Sequence, residues 1–203
     1  MHKVVIGNAT LFHGDCNSGM ADMLGKAYSL AIVDPPYRNI NEPDQHLRAY
    51  KGDMKKWAPT PKKEYFDELD RIAKNYIIWG GNYFTEYLPP NNNWVVWHKP
   101  DKTVDVHFSM CELAWSSIRK NIKLVTLMVD SNKIHPTQKP ITLYKWLLKN
   151  YAKEGDTILD THMGSGSSVI AALDMGFTIT AYETDKDYFD AACKRIEDAQ
   201  RQG

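Results

Sequence analysis

Short apolar runs recur along the chain at strand length: 9–13 (ATLFH), 29–33 (SLAIV), 76–79 (YIIW), 94–97 (WVVW), 112–115 (ELAW), 157–159 (TIL) and 178–182 (TITAY). Each is bounded by Gly, Pro, Asp or Asn, the residues that close strands. The opening stretch MHKVVIGNAT alternates as a strand does, and part of 123–129 (KLVTLMV) reads as another core strand. Between several of these runs the apolar spacing becomes helical. Residues 62–74 bring Tyr65, Phe66, Leu69, Ile72 and Ala73 onto one face, and residues 140–151 do the same with Ile141, Leu143, Tyr144, Leu147, Leu148 and Tyr151. Ser167 suits the cap of a helix running to Gly176, and Asp185 or Asp187 suits the start of a last helix ending near Gln200. Strands alternating with helices predict an α/β fold, a mostly parallel sheet with helices on both faces. There is no internal repeat and no low-complexity tract.

At 203 residues the chain suits one domain with a core of its own. Nothing resembles a membrane span or a secretory signal. The three cysteines, Cys16, Cys111 and Cys193, are widely spaced with no CxxC pair. That argues against a disulfide framework or a zinc site, and for a reducing cytoplasm. Net charge is zero, yet it is unevenly spread. Between Arg38 and Lys63 seven basic residues face three acids, and between Arg119 and Lys133 four face one. Local patches of this kind suit phosphate contacts, although charge runs are also common on solvated loops. The stretch 38–61 lacks apolar periodicity and is too long for a passive connector, which predicts a mobile loop that contacts a ligand.

The stretch TILDTHMGSGSSVIAALDMGFTITAYE, 157–183, places a strand ending at Asp160 before a Gly-Ser-Gly turn and a helix. A second strand then ends at Glu183. Glycines admit a ligand close to the backbone, free N–H groups at a helix start attract it, and an acid at the next strand tip suits ribose hydroxyls. The dinucleotide pattern would want a third glycine where Val169 stands, so a nucleoside ligand without pyrophosphate fits, and an NAD oxidoreductase is disfavoured. The second informative stretch is AIVDPPY, 31–37. Successive prolines cannot pair in a sheet and hold the backbone rigid. The Pro35 carbonyl and the Asp34 carboxylate are then two neighbouring acceptors, suited to the two hydrogens of an exocyclic amine. Tyr37 can stack on the base that carries it.

With D-P-P-Y at 34–37, D-x-x-x-G-S-G at 160–166 and HPTQKP at 135–140 between them, the chain resembles the β-class DNA amino-methyltransferases. GNATLFHGDC, NYIIWGGNYF and WVVWHKP extend the likeness over nearly the whole chain. The resemblance implies a Rossmann-like fold of seven strands, one antiparallel, with the β-class order of motifs. It implies a catalytic half at about 1–115, a short recognition or connector segment at 116–134, and a cofactor half at 135–203. The cofactor would be S-adenosylmethionine, with no metal required, and the substrate DNA. By position, Asp34, Pro35, Pro36 and Tyr37 would hold the target base. Asp160, Gly164 and Gly166 would line the methionine part of the cofactor, Glu183 its ribose, and Asp15 and Cys16 its adenine. Thr137 and Lys139 would hold the amino-acid end, with Asp34, His135, His162, Ser165 and Thr184 also along the cofactor. The family usually has Pro-Phe where this chain has Thr161-His162, a variant that, with the small size, resembles phage and prophage members.

The implied reaction is direct methyl transfer to adenine N6. Cytosine N4 methylation is the near rival, because a serine in place of Asp34 is the commoner cytosine form. A catalytically inactive DNA-binding module is the other, and the intact DPPY argues against it. Arg38, Arg48, Lys51, Lys55, Lys56, Trp57, Arg119 and Lys120 are the expected DNA contacts. Between ELAW and HPTQKP only 116–134 remains for reading bases, which predicts little sequence discrimination, to which a homodimer could add. The setting implied is the cytoplasm of a bacterium or a phage-infected cell.

Overall fold

The computed structural model describes residues 1–37, 59–100 and 109–202. Among the described residues nine strands form one sheet: β1 (His2–Ile6), β2 (Ala9–His13), β3 (Tyr28–Val33), β4 (Ala73–Trp79), β5 (Trp94–His98), β6 (Cys111–Ser116), β7 (Lys123–Thr126), β8 (Thr157–Asp160) and β9 (Thr178–Glu183). Their order is β1-β2-β9-β8-β3-β4-β6-β5-β7. The expected seven are the inner strands, with β6 antiparallel to both neighbours; β1 and β7 extend the two edges, β1 antiparallel to β2 and β7 parallel to β5. The Rossmann-like α/β expectation holds.

Five α-helices among the described residues flank the sheet: α1 (Cys16–Ala21), α2 (Lys63–Ile72), α3 (Ile141–Tyr151), α4 (Ser167–Asp174) and α5 (Lys186–Gln202). Alternation along the strands assigns the faces. Leu30, Ile32, Ile77, Trp79 and Ile158 enter the core shared with α3, α4 and α5. Ala31, Val33, Ile78 and Leu159 enter the other, with Met20 of α1 and Tyr65, Phe66 and Leu69 of α2. Strands covered on both faces need apolar residues at every position, which is why SLAIV and YIIW read as continuous runs rather than alternations.

Three sequence expectations change and one holds. The helix expected over 62–74 stops at Ile72, because Ala73 already pairs with Tyr28 in the sheet. Ser167 is the first helical residue of α4 and not its cap; Gly166, at φ +76°, holds that position. Asp185 does start α5, its Oδ1 accepting from the Asp187 and Tyr188 amides at 2.9 and 3.0 Å. The KLVT stretch is an edge strand in which only Val125 is buried, so it is no core strand. No helix among the described residues is long and apolar enough to cross a membrane. The expected loop at 38–61, with Arg38, Arg48, Lys51, Lys55, Lys56 and Trp57, lies outside the described residues but for its last three positions.

Candidate active site

The parallel strands all end at one side of the sheet, where α/β proteins bind ligands. There the structure gathers Asp34 after β3, Gly80 after β4, Lys99 after β5, Asp160 at the end of β8 and Glu183 at the end of β9. Because β6 runs the other way, its first residues, Cys111 and Glu112, arrive at this same side.

Asp34 ends its strand because Pro35 and Pro36 have no N–H to pair. Its side chain is 14% exposed, and Oδ2 takes a hydrogen bond from Lys139 Nζ at 2.5 Å. Oδ1 is buried with no hydrogen-bond partner among the described residues. Burial pushes the Asp34 carboxyl upward, and the Lys139 charge opposes it. An unpaired buried carboxylate oxygen costs free energy unless something else meets it, which marks it as an acceptor in wait. Beside it the Tyr37 ring is fixed by Tyr83, stacked at 4.8 Å and 9°, and by the edge of Phe84. Gly80 makes room for that ring: a Cβ there would fall 2.3 Å from Tyr37 Cδ1.

The glycine turn is organised by carboxylates. Asp160, 1% exposed, accepts from the His162 amide at 2.9 Å and the Ser168 hydroxyl at 2.5 Å. Burial raises its pKa to about 7. Glu183 accepts from the Gly164 amide at 3.0 Å through one oxygen and from the Asp185 amide at 2.9 Å through the other. Each Glu183 oxygen keeps a second lone pair that can meet a hydroxyl. Arg195 of α5 ties down the turn, donating to the Ser165 carbonyl at 2.8 Å and the Ser167 hydroxyl at 2.9 Å.

His135 lies across the turn, its ring 3.6 Å from where a Gly164 Cβ would be. Its Nδ1 accepts from the Thr137 amide at 3.4 Å, and burial lowers its pKa to about 4. Asp15 caps α1 through its contact with the Asn17 amide and is exposed, whereas Cys16 behind it is buried, its thiol pushed up to about 12 by burial. The Thr184 carbonyl meets His13 Nε2 at 3.1 Å.

His162 has a definable tautomer. Tyr65 Oη is 2.6 Å from Thr161 Oγ1, which is 2.8 Å from His162 Nδ1. Tyr65 is buried and Thr161 is its hydrogen-bond partner among the described residues, so its hydroxyl donates to Thr161. Thr161 then donates to Nδ1, leaving the ring proton on Nε2. Burial lowers the His162 pKa to about 4, so the ring is neutral at pH 7.

The Lys139 ammonium bridges Asp34 and Glu112. Arg119 and Lys120 follow β6 and lie at the opposite end of the sheet, bordering a depression with Pro90 and Asn91 to Asn93. Lys120 is also engaged there, with the Asn150 carbonyl and over the Tyr151 ring. The sequence reading missed Glu112, Lys99, Arg195 and Gly80. Of these only Gly80 carried a signal, a Gly-Gly pair directly after an apolar strand.

The pocket has features a nucleoside-bearing cofactor needs, a glycine turn with positive φ at Gly164 and Gly166 and a carboxylate with spare lone pairs, and beside them a buried orphan acceptor. Comparison with known proteins agrees. A DNA methylase family model, of the N6/N4 methyltransferases, matches residues 67–194. The type II methyltransferase M2.DpnII of Streptococcus pneumoniae is 40% identical over 238 aligned positions, covering 92% of this chain and 89% of that protein. Among solved structures, an M1.HpyAVI–SAM complex superposes with a TM-score of 0.67 at 20% identity, covering 92% of this chain and 99% of that one. The PvuII cytosine-N4-specific DNA methyltransferase does so at 0.67 and 12% identity, covering 98% and 93%. At those identities the two structures speak to fold alone. The family match and the pneumococcal relative together place the chain in the N6/N4 DNA methylase family, as an S-adenosylmethionine-dependent DNA methyltransferase.

Proposed function

We propose that the enzyme methylates the exocyclic N6 amine of an adenine extruded from DNA. The observation that carries this reading is the buried, unpartnered Oδ1 of Asp34 beside the clamped Tyr37 ring. Oδ1 and the Pro35 carbonyl accept the two amine hydrogens and so aim the nitrogen lone pair. The Tyr37 ring offers a face for the base, which suits an enzyme that takes its substrate out of the stack. On this reading Glu183, the Gly164 turn and the Nε2–H of His162 hold the cofactor, with Asp15 at its rim. Bound S-adenosylmethionine supplies an electrophilic methyl group on a sulfonium. Rate comes from holding the amine in line at near-attack distance in a water-poor pocket, with no covalent enzyme intermediate. An acid before the two prolines favours adenine over cytosine, as the resemblance to β-class enzymes implies.

The test uses labelled methyl transfer to two duplexes of one sequence, in one of which every adenine is replaced by unsubstituted purine. Label is expected only in the adenine duplex. Equal labelling of both would overturn the adenine assignment.

A further inference from the structure

The second oxygen of Asp34 has a partner for which amine binding gives no reason. Lys139 Nζ, 2.5 Å from Asp34 Oδ2, is also 3.1 Å from Glu112 Oε2, an ionic contact outside hydrogen-bond geometry. The Lys139 side chain is 2% exposed, and Nζ sits 5.3 Å from the centre of the Trp79 ring. Glu112 in turn accepts from Lys99 through its other oxygen at 3.0 Å. Charges therefore alternate from Asp34 through Lys139 and Glu112 to Lys99. An ammonium enclosed by two carboxylates and a ring face has little left to offer a cofactor carboxylate.

We propose that Lys139 is a positioning residue for methyl transfer, holding Asp34 by Oδ2 so that Oδ1 faces the target amine, with Glu112 keeping Lys139 in place. This deepens the reading of Asp34 as the amine's acceptor and rests on it. A carboxylate gripped at one oxygen cannot rotate that oxygen away, so the free one keeps its aim. The same grip governs charge. Glu112 from β6 faces Asp34 and pushes it toward the protonated form, as burial does, and Asp34 in turn raises Asp160 of β8. Lys139 opposes both burial and Glu112 directly. Lys133 and Lys99 stand behind Glu112, while Tyr37 and Tyr144 of α3 face Lys139 and stay neutral, both held above their usual range by burial. Burial disfavours the Lys139 charge, yet Asp34 and Glu112 outweigh it and keep the ammonium protonated. Burial works against Glu112 as well, and Lys139 and Lys99 bring it down to about 2. Without Lys139, Asp34 would be a buried unpaired acid, and a proton on Oδ1 would turn the acceptor into a donor.

Lys139→Met tests this. The acid limb of the kcat–pH profile should move up by about 1–3 units. Affinity for S-adenosylhomocysteine, measured by calorimetry, should stay within about two-fold, well under the ten-fold that 1.4 kcal/mol represents. Asp34→Asn/Lys139→Met should melt above Lys139→Met alone, because the neutral amide needs no counter-ion. An unshifted limb with a ten-fold loss of cofactor affinity would return Lys139 to the cofactor and overturn the proposal. So would an unshifted limb with unchanged affinity. Should Lys139→Met fail to fold, folding of the double variant supports the pairing and its failure overturns it. Asp34→Asn alone separates the two levels. Full activity there would sink the amine assignment itself, whereas an inactive Asp34→Asn with an unshifted Lys139→Met sinks only the role of Lys139.

Discussion

Gly80→Ala puts the geometry of the base platform to a quantitative test. Gly80 has φ +68°, in the left-handed region. A Cβ there would fall 2.3, 2.6 and 2.8 Å from Tyr37 Cδ1, Cε1 and Cγ. Carbon atoms rest at about 3.5–4.0 Å, so the ring must retreat by about 1 Å or more, or the backbone must open. Retreat is blocked by Tyr83, stacked at 4.8 Å, and Phe84. The left-handed conformation costs a non-glycine residue about 1–2 kcal/mol and overpacking about 1–3, so the variant should lose about 2–5 kcal/mol. Urea unfolding measures that loss. Single-turnover methylation should fall about 100-fold, since a displacement of about 1 Å misplaces the base. Adding Tyr37→Ala removes the clash, so in that background Gly80→Ala should cost only the conformational part, about 1–2 kcal/mol. Unfolding and turnover within about 0.5 kcal/mol of the parent would refute the reasoning, because surface substitutions fall in that range.

Three further outcomes are expected. Glu183→Ala should weaken S-adenosylhomocysteine binding by about 1.5–3 kcal/mol, about ten-fold or more by calorimetry, because a charged acceptor is lost. Asp160, with its pKa raised to about 7, binds its proton more tightly folded than unfolded. Its contribution therefore lowers the stability of the ligand-free enzyme as pH rises from about 4 to about 7, and levels off above. Asp160→Asn should lack that part of the slope in urea unfolding between about pH 5 and pH 8. Arg119→Ala/Lys120→Ala should leave methylation within about two-fold, because both residues sit at the far end of the sheet from Asp34 and rim charges away from a site are worth little; a loss ten times larger would show that DNA wraps to that end.

What the sequence revealed follows from which signals are local. The ends of β3, β8 and β9 were readable because proline pairs, glycine turns and strand-tip acids announce themselves within a few residues. The helix faces of α2 and α3 were readable from spacing alone. The ion chain was not, since Lys139 precedes a helix and Glu112 sits on a strand 27 positions earlier, and only the reversed direction of β6 brings them together. The same reversal carries Arg119 and Lys120 to the end of the sheet opposite Asp34. Apolar content misjudged β7, where Leu124 is 66% exposed, because an edge strand needs β-forming residues without burying them. Gly166 displaced Ser167 as the α4 cap because the turn needs a positive φ there, with Ile196 packed against the space a side chain would fill.

Mass spectrometry of nucleosides from unmethylated genomic DNA, incubated with the enzyme and S-adenosylmethionine, tests the central reading most directly. N6-methyldeoxyadenosine is expected with the parent enzyme and none with Asp34→Ala, whose affinity for S-adenosylhomocysteine should survive. N4-methyldeoxycytidine as the product, or an Asp34→Ala enzyme that still methylates adenine, would contradict it.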